Sequence, residues 1–307
     1  MLPPIALFVY NRTDTLQRTL AGLRDDHVPL LYIFSDAPKT PTHAPSVAQV
    51  RQMIEAIDWA QTHITYRSTN MGLGRSIVAG VSAVLAEHES VIVFEDDLVC
   101  VPGTYRYFSD ALQHYQTTEQ VMSVTAWTNR ELIPPGTTTP YFDGRAESLA
   151  WATWRRAWVG FPDQEALPLI RAYRNQGGDI QRYGEDVPVM ALMERERNLW
   201  LVRWIAWHMA QGGLCLRPPY TMVQHIGYNA QASNAAESEW LQDDHPQSQI
   251  IPLSAYPPPI EHPQATSRWR RHRRDYWQRL PLATQLRAGA GIIRRMFRER
   301  FFFLPSN

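Results

Sequence analysis

Short apolar runs and longer stretches of helical periodicity alternate along the first 126 residues. Ile5-Ala-Leu-Phe-Val-Tyr10, Leu30-Leu-Tyr-Ile-Phe34, Val91-Ile-Val-Phe94 and Val121–Ala126 have the length and continuity of strands buried on both faces, and Ile64-Thr-Tyr-Arg67 is a shorter strand of the same series. Helices fit between them. Thr13 or Asp14 can cap one that runs through Leu23, a second occupies 46–61 behind a Pro-rich loop, and a third opens at Asn70-Met-Gly-Leu-Gly74 with Ile77, Val81, Val84 and Leu85 on one face. A helix near 103–116 precedes the last strand. Strand–helix alternation of this kind predicts an α/β fold with a mostly parallel, Rossmann-like sheet and helices on both faces.

The rhythm changes after residue 126. Trp151, Trp154, Trp158, Trp200, Trp204 and Trp207 cluster between residues 127 and 235, with a strand-like Gly213–Leu216 among helices. Residues 236–263 are polar and Pro-rich, including Tyr256-Pro-Pro-Pro259, and predict a loose strap or linker. Residues 264–307 form a basic, aromatic helical tail, in which Pro281 can start a last helix bearing Leu286, Ala290, Ile293 and Phe297 on one face.

Composition narrows the class. With 44% hydrophobic and 11% aromatic residues, the 307-residue chain collapses into a core and is not disordered as a whole. Two cysteines, Cys100 and Cys215, exclude a disulfide scaffold and a cysteine-based zinc site. No apolar run approaches the roughly 20 residues that span a bilayer, and Met1–Ile5 lacks the basic flank of a signal peptide, so the expected location is cytoplasmic. The net charge of zero conceals a division: residues 1–267 carry 19 basic and 28 acidic groups, whereas 268–307 carry 11 Arg against Asp275 and Glu299. Arg together with Trp269, Tyr276, Trp277 and Phe297 suits an anionic membrane surface, giving a peripheral protein at the inner face of the plasma membrane. An Arg-rich helix pair packed on the acidic body is the alternative. Nucleic acid is not expected as a partner, because the rest of the chain is acidic and carries no nucleic-acid motif.

The chemistry concentrates at predicted strand ends. Glu95-Asp96-Asp97 directly terminates the strand Val91–Phe94, and carboxylates there border the crevice where open α/β sheets bind ligands. Three adjacent like charges repel unless a cation sits among them, and carboxylates suit Mg²⁺ or Mn²⁺. Asn11-Arg12 ends the first strand, Asp36 the second, and Gly72-Leu-Gly74 with Arg75 opens the third helix, so all border one crevice. Each taken singly is also an ordinary cap or turn residue. The glycines do not form a dinucleotide fingerprint, and Lys39 has no Gly-rich run before it to make a phosphate loop.

Tyr10-Asn-Arg-Thr, Phe34-Ser-Asp36, Asn70-Met-Gly-Leu-Gly-Arg75 and Val93-Phe-Glu-Asp-Asp-Leu98, in that order, resemble GT-A-fold glycosyltransferases. The set is similar to bacterial family 2-like sugar transferases and to the N-acetylglucosaminyltransferase I family. Trp151-Ala-Thr-Trp-Arg-Arg-Ala-Trp158, Trp200-Leu-Val-Arg-Trp204, Gly213-Leu-Cys-Leu-Arg-Pro-Pro219 and Gln224-His-Ile-Gly227 extend the likeness over residues 4–235. The resemblance implies one GT-A domain, with a nucleotide-sugar-binding half at 1–126 and an acceptor-binding half at 127–235.

It further implies that Asp97 ligates Mn²⁺ or Mg²⁺ on the donor diphosphate, with His225 a second candidate ligand. Asp96 would touch the donor ribose and Glu95 the sugar or the metal's surroundings. Asn11, Arg12 and Asp36 would hold the nucleotide, Asp36 near the base edge, while Gly74 and Arg75 border its phosphates. Asp186, with Glu185 beside it, stands in for the base that deprotonates the acceptor hydroxyl, since the Trp200–Trp204 segment carries Leu201 and Val202 where relatives place an acid. Apart from the resemblance, the tryptophan cluster reads as core packing, and Trp127 and Trp151 are the best placed of the tryptophans to stack instead on an acceptor sugar. The implied activity is inverting, metal-dependent transfer of a hexosyl or N-acetylhexosaminyl group from a nucleotide-sugar donor, most simply a UDP-sugar. The acceptor is a glycan or lipid-linked saccharide of bacterial surface polysaccharide synthesis. A sugar nucleotidyltransferase and a non-catalytic nucleotide- or glycan-binding homologue are the alternatives.

Overall fold

The computed structural model describes residues 2–197, 199–227 and 245–279. In chain order the elements are β1 (Ile5–Val9), α1 (Thr13–Asp25), β2 (Leu30–Ser35), α2 (Ala44–Glu55), β3 (Gln61–Tyr66), α3 (Leu73–Glu87), β4 (Ser90–Glu95), β5 (Leu98–Cys100), α4 (Thr104–His114), β6 (Val121–Thr125) and β7 (Tyr141–Asp143). They continue with β8 (Trp151–Trp154), α5 (Arg155–Trp158), α6 (Ala166–Asn175), α7 (Asp186–Arg197), α8 (Trp200–Gln211), β9 (Leu214–Arg217), β10 (Val223–His225) and α9 (Ala265–Arg279).

Eight strands form one sheet in the order β3-β2-β1-β4-β8-β6-β9-β7, and β10 pairs with β5 in a small second sheet. β3, β2, β1 and β4 are mutually parallel. β8 runs antiparallel between β4 and β6, which returns to parallel with β9. This is the mostly parallel α/β sheet that the resemblance implies. All five residues of β1 are buried, as its apolar run requires at the middle of a sheet covered on both sides. Its alternate side chains separate two cores: Ile5, Leu7 and Val9 join Leu16, Ile54 and Phe108 on one face. Ala6 and Phe8 join Ile77, Val81 and Trp204 on the other.

Several boundaries differ from the sequence reading. The second helix ends at Glu55 and β3 already begins at Gln61, because β3 is the outermost strand and alternates exposed and half-buried positions over most of its length. A polar-apolar edge strand lacks the continuous apolar run that marks the inner ones. Neither Thr13 nor Asp14 caps α1; the N-cap position is Arg12, without a side-chain cap. The Pro-rich stretch is packed where it is described. Ile251 and Tyr256 are buried, the Tyr256 ring stacks 6.3 Å from Tyr107, and the Tyr115 hydroxyl donates to the Pro257 carbonyl. The helix proposed from Pro281 onward lies outside the described residues.

Candidate active site

The chain passes from β1 through β2 to β3 on one side, then crosses to β4 on the other side of β1. This reversal splits the loops that leave the carboxyl ends of β1 and β4 and opens a crevice between them. A cavity of about 540 Å³ occupies it, within the usual size of small-molecule sites. Asn11, Arg12, Asp36, Glu95, Asp96, Asp97 and His225 all line it, as do Tyr10, Lys39, His43, Asn70, Gly72 and Ser76.

β4 ends at Glu95, so the acidic triplet turns out of the sheet between β4 and β5. The pairing of β10 with β5 brings a distant segment onto this turn: His225 sits opposite Leu98, and the Ile226 N–H donates to the Asp97 carbonyl. Asp97 Oδ2 consequently lies 3.2 Å from His225 Nε2 and 3.0 Å from the Arg12 guanidinium. Arg12 also reaches the Gly227 carbonyl at 3.4 Å. The chain passes so close that a Cβ on Gly227 would stand 2.0 Å from Asp97 Oδ2. Only glycine admits that approach.

Asp96 accepts the Tyr10 N–H at 2.9 Å. Burial, with the neighbouring Asp97 charge second, pushes the Asp96 carboxyl up to about 7. Glu95 is driven well above the usual carboxylate range by burial and then by Asp97 and Asp96. Both shifts disfavour the charged carboxylates in the unliganded cleft, and a cation placed among them would favour the ionised forms again.

The residues fit a divalent cation of few protein ligands. Asp97 Oδ1 is buried without a hydrogen-bond partner among the described residues. Adjacent ligands of an octahedral ion at about 2.1 Å lie about 3 Å apart, and the Asp97–His225 separation is close to that. Among the described residues no three acidic, histidine or cysteine side chains are grouped so as to hold a metal ion, so Asp97 and His225 would leave most positions to oxygens of another molecule.

Asp36 lines the cavity and also shapes the loop beside it. Its carboxylate accepts the N–H groups of Ala37, Met71 and Gly72 at 2.9–3.1 Å. These bonds occupy both oxygens and clamp the loop before α3 onto β2, with Gly72 at φ 71° as the N-cap. Gly74 and Arg75 do not line the cavity: Gly74 is buried in the first turn of α3, and Arg75 is exposed and donates back to the Met71 carbonyl. Gly72, Leu73 and Ser76 present the helix N-terminus instead. Lys39, which no phosphate-loop pattern supports, and His43, which no motif marks, also line the cavity. His43 Nδ1 lies 2.7 Å from the Tyr10 hydroxyl, which accepts the Lys39 N–H, so the loop after β2 folds back onto the end of β1. No spacing signal marks that return.

The acceptor-side assignments meet different surroundings. Asp186 is buried and paired through both oxygens with Arg145 at 2.8 and 3.0 Å, an arrangement that keeps its carboxylate away from solvent. Glu185 is exposed, and neither lines the cavity. Trp127 and Trp151 are 2% and 0% exposed, and Trp151 packs against Trp158, Trp200 and Trp204 with ring centroids 5.2–5.9 Å apart. Both tryptophans are core residues, offering no face to a sugar.

No protein-family model matches the chain, and no curated protein matches it by sequence. Among solved structures, similarity extends to the mannosyltransferase PcManGT from Pyrobaculum calidifontis in complex with GDP-Man and Mn²⁺. It is 13% identical over 76% of this chain and 59% of that one, with a TM-score of 0.41. GalNAc-T7 with UDP, GalNAc and Mn²⁺ is 12% identical over 78% of this chain and 47% of that one, with a TM-score of 0.43. The 4-diphosphocytidyl-2C-methyl-D-erythritol synthase of Anaerococcus prevotii is 12% identical over 57% of this chain and 77% of that one, with a TM-score of 0.30. The chain thus spans about half to three-fifths of the length of the two sugar-transferring proteins it resembles.

Proposed function

We propose that the protein is a metal-dependent glycosyltransferase that takes its sugar from a nucleoside diphosphate donor in the β1–β4 cleft. One observation carries the reading: Arg12 from the end of β1 and Asp97 from the end of β4 meet at 3.0 Å across the crevice, with His225 on the same carboxylate. A cation-binding carboxylate beside a guanidinium at a sheet's switch point suits a diphosphate, whose charge needs both. Asp97 and His225 would hold Mn²⁺ or Mg²⁺. Bound there, the ion supplies neutralisation of the departing diphosphate. Arg12 and the N-terminal turn of α3 add positive potential to the same cleft. Asp96, fixed by the Tyr10 N–H, would orient the ribose, and Glu95 would serve the sugar or the metal's surroundings.

The resemblance of the motif set supports a UDP-sugar, inversion at the transferred carbon, and a glycan or lipid-linked acceptor in bacterial surface polysaccharide synthesis. Asp186 is not carried forward as the base, because Arg145 occupies both of its oxygens. The test is calorimetric titration of UDP and GDP with and without Mn²⁺, on the wild type and on Asp97→Ala. Metal-dependent binding of one nucleotide, lost in the variant, is the expected result. Failure of every nucleotide to bind folded protein refutes the reading.

A further inference from the structure

Arg12 and His225 converge on one oxygen of Asp97, Oδ2, and leave Oδ1 unpartnered among the described residues. Arg12 Nη1 donates to Asp97 Oδ2, the oxygen that also faces His225 Nε2, and is held from behind by the Gly227 carbonyl. The side chains of all three are almost enclosed, at 12–13% exposure, so solvent screens their charges little. A divalent ion held between Asp97 and His225 would compete with the guanidinium for Oδ2, and one on Oδ1 would still be repelled by it across the same carboxylate. A diphosphate changes that balance, because its oxygens offer Arg12 a bidentate partner in exchange for Asp97.

We infer that Arg12 is a latch on Asp97 that makes the site take a divalent cation only together with a nucleoside diphosphate, as one complex, and refuse the bare ion. The inference rests on the proposed function for the identity of the site and adds how loading is controlled. The two ligands are then coupled through a single side chain with two alternative partners, and by linkage each strengthens the other equally.

Mn²⁺ binding to the holdable range of concentrations is followed by electron paramagnetic resonance of free Mn²⁺, with and without UDP and GDP, on wild type, Arg12→Gln and Arg12→Lys. Wild type is expected to bind Mn²⁺ weakly alone and at least about tenfold more tightly with the preferred nucleotide. Arg12→Gln should bind Mn²⁺ alone about tenfold more tightly than wild type and bind the nucleotide more weakly, shifts of opposite sign that general damage to the site does not produce. Arg12→Lys, which keeps a cation without the fork, should still disfavour bare Mn²⁺ and guards against a folding defect in the neutral variant. Tight Mn²⁺ binding by wild type without nucleotide, or no gain in Arg12→Gln, overturns the latch while leaving the metal site standing. Absence of Mn²⁺ binding in every sample overturns the latch and the metal reading together.

Discussion

At the scale of single residues, the chain separates charges that serve the cleft from charges that serve the fold, and burial alone does not tell them apart. His208 belongs to the second kind. It is fully buried, with Nε2 2.9 Å from the Ser123 hydroxyl and Nδ1 3.0 Å from the Trp204 carbonyl. Burial lowers its pKa to about 3. Between pH 6.5 and 3 the unfolded chain binds a proton here that the folded chain refuses, so stability falls as pH falls. The loss is about 1.4 kcal/mol per pH unit, or about 2 kcal/mol at pH 5 relative to neutrality. Urea unfolding at pH 7 and pH 5 should show it, and His208→Gln should be less acid-sensitive than wild type over that interval.

Legibility follows the same division. Glu95, Asp96 and Asp97 could be read because a carboxylate at a buried strand's end has few structural reasons to be there. Asp36 likewise follows a buried strand and Asp186 opens a helix, and their oxygens are engaged by the Ala37, Met71 and Gly72 amides and by Arg145. Partners distant along the chain decide which acid is available, and spacing carries no record of them. Gly227 is a similar case: its contact with Asp97 exists only because β10 pairs with β5.

At the scale of elements, the inner strands were readable and those that depend on tertiary pairing were not. β8 is a Trp-Ala-Thr-Trp segment whose fully buried pattern comes from insertion between β4 and β6. α9 is a clearer instance. Its composition reads as a solvent-facing basic arm, but Trp269 is 1% exposed and lies between two buried guanidiniums, 4.6 Å from Arg145 and 5.0 Å from Arg217. The indole N–H donates to Asp143 at 2.8 Å, and Asp143 also pairs with Arg217. The ring thus closes a cage of Asp143, Arg145, Asp186 and Arg217 that ties the end of the sheet to α7. This removes Trp269 from the expected membrane-facing set. Trp269→Ala should lower stability by about 3–5 kcal/mol, the range for an excavated aromatic. Trp269→Phe keeps the ring over both cations and forfeits the hydrogen bond, so its loss should be nearer 1.5–3 kcal/mol, about that of a bond to a charged group. Chemical denaturation of the three proteins at neutral pH provides the check.

At the scale of the whole molecule, the question is what the opposed charges of body and tail accomplish once part of the tail is accounted for. Ala265, Trp269 and His272 face the body, and His272 pairs with Glu131 at 2.9 Å, so the chain up to that point belongs to the globule. No helix among the described residues is long and apolar enough to cross a membrane. A surface-binding arm, if the proposed lipid-linked acceptor is right, must draw on the residues that follow. Residues 280–307 hold Arg287, Arg294, Arg295, Arg298 and Arg300 against Glu299, with Phe297 and Phe301–Phe303 among them. Near an anionic surface each Arg contributes about 1 kcal/mol, enough together for stable but salt-sensitive attachment. Flotation with phosphatidylserine-containing vesicles should therefore recover the full chain at low salt and release it at high salt. A chain ending at Arg279 keeps Trp269 in its cage, so it should retain its unfolding midpoint and its nucleotide binding while no longer floating. Equal flotation of both chains would mean that the attachment lies elsewhere, and the charge division would then be explained by the docking of α9 alone.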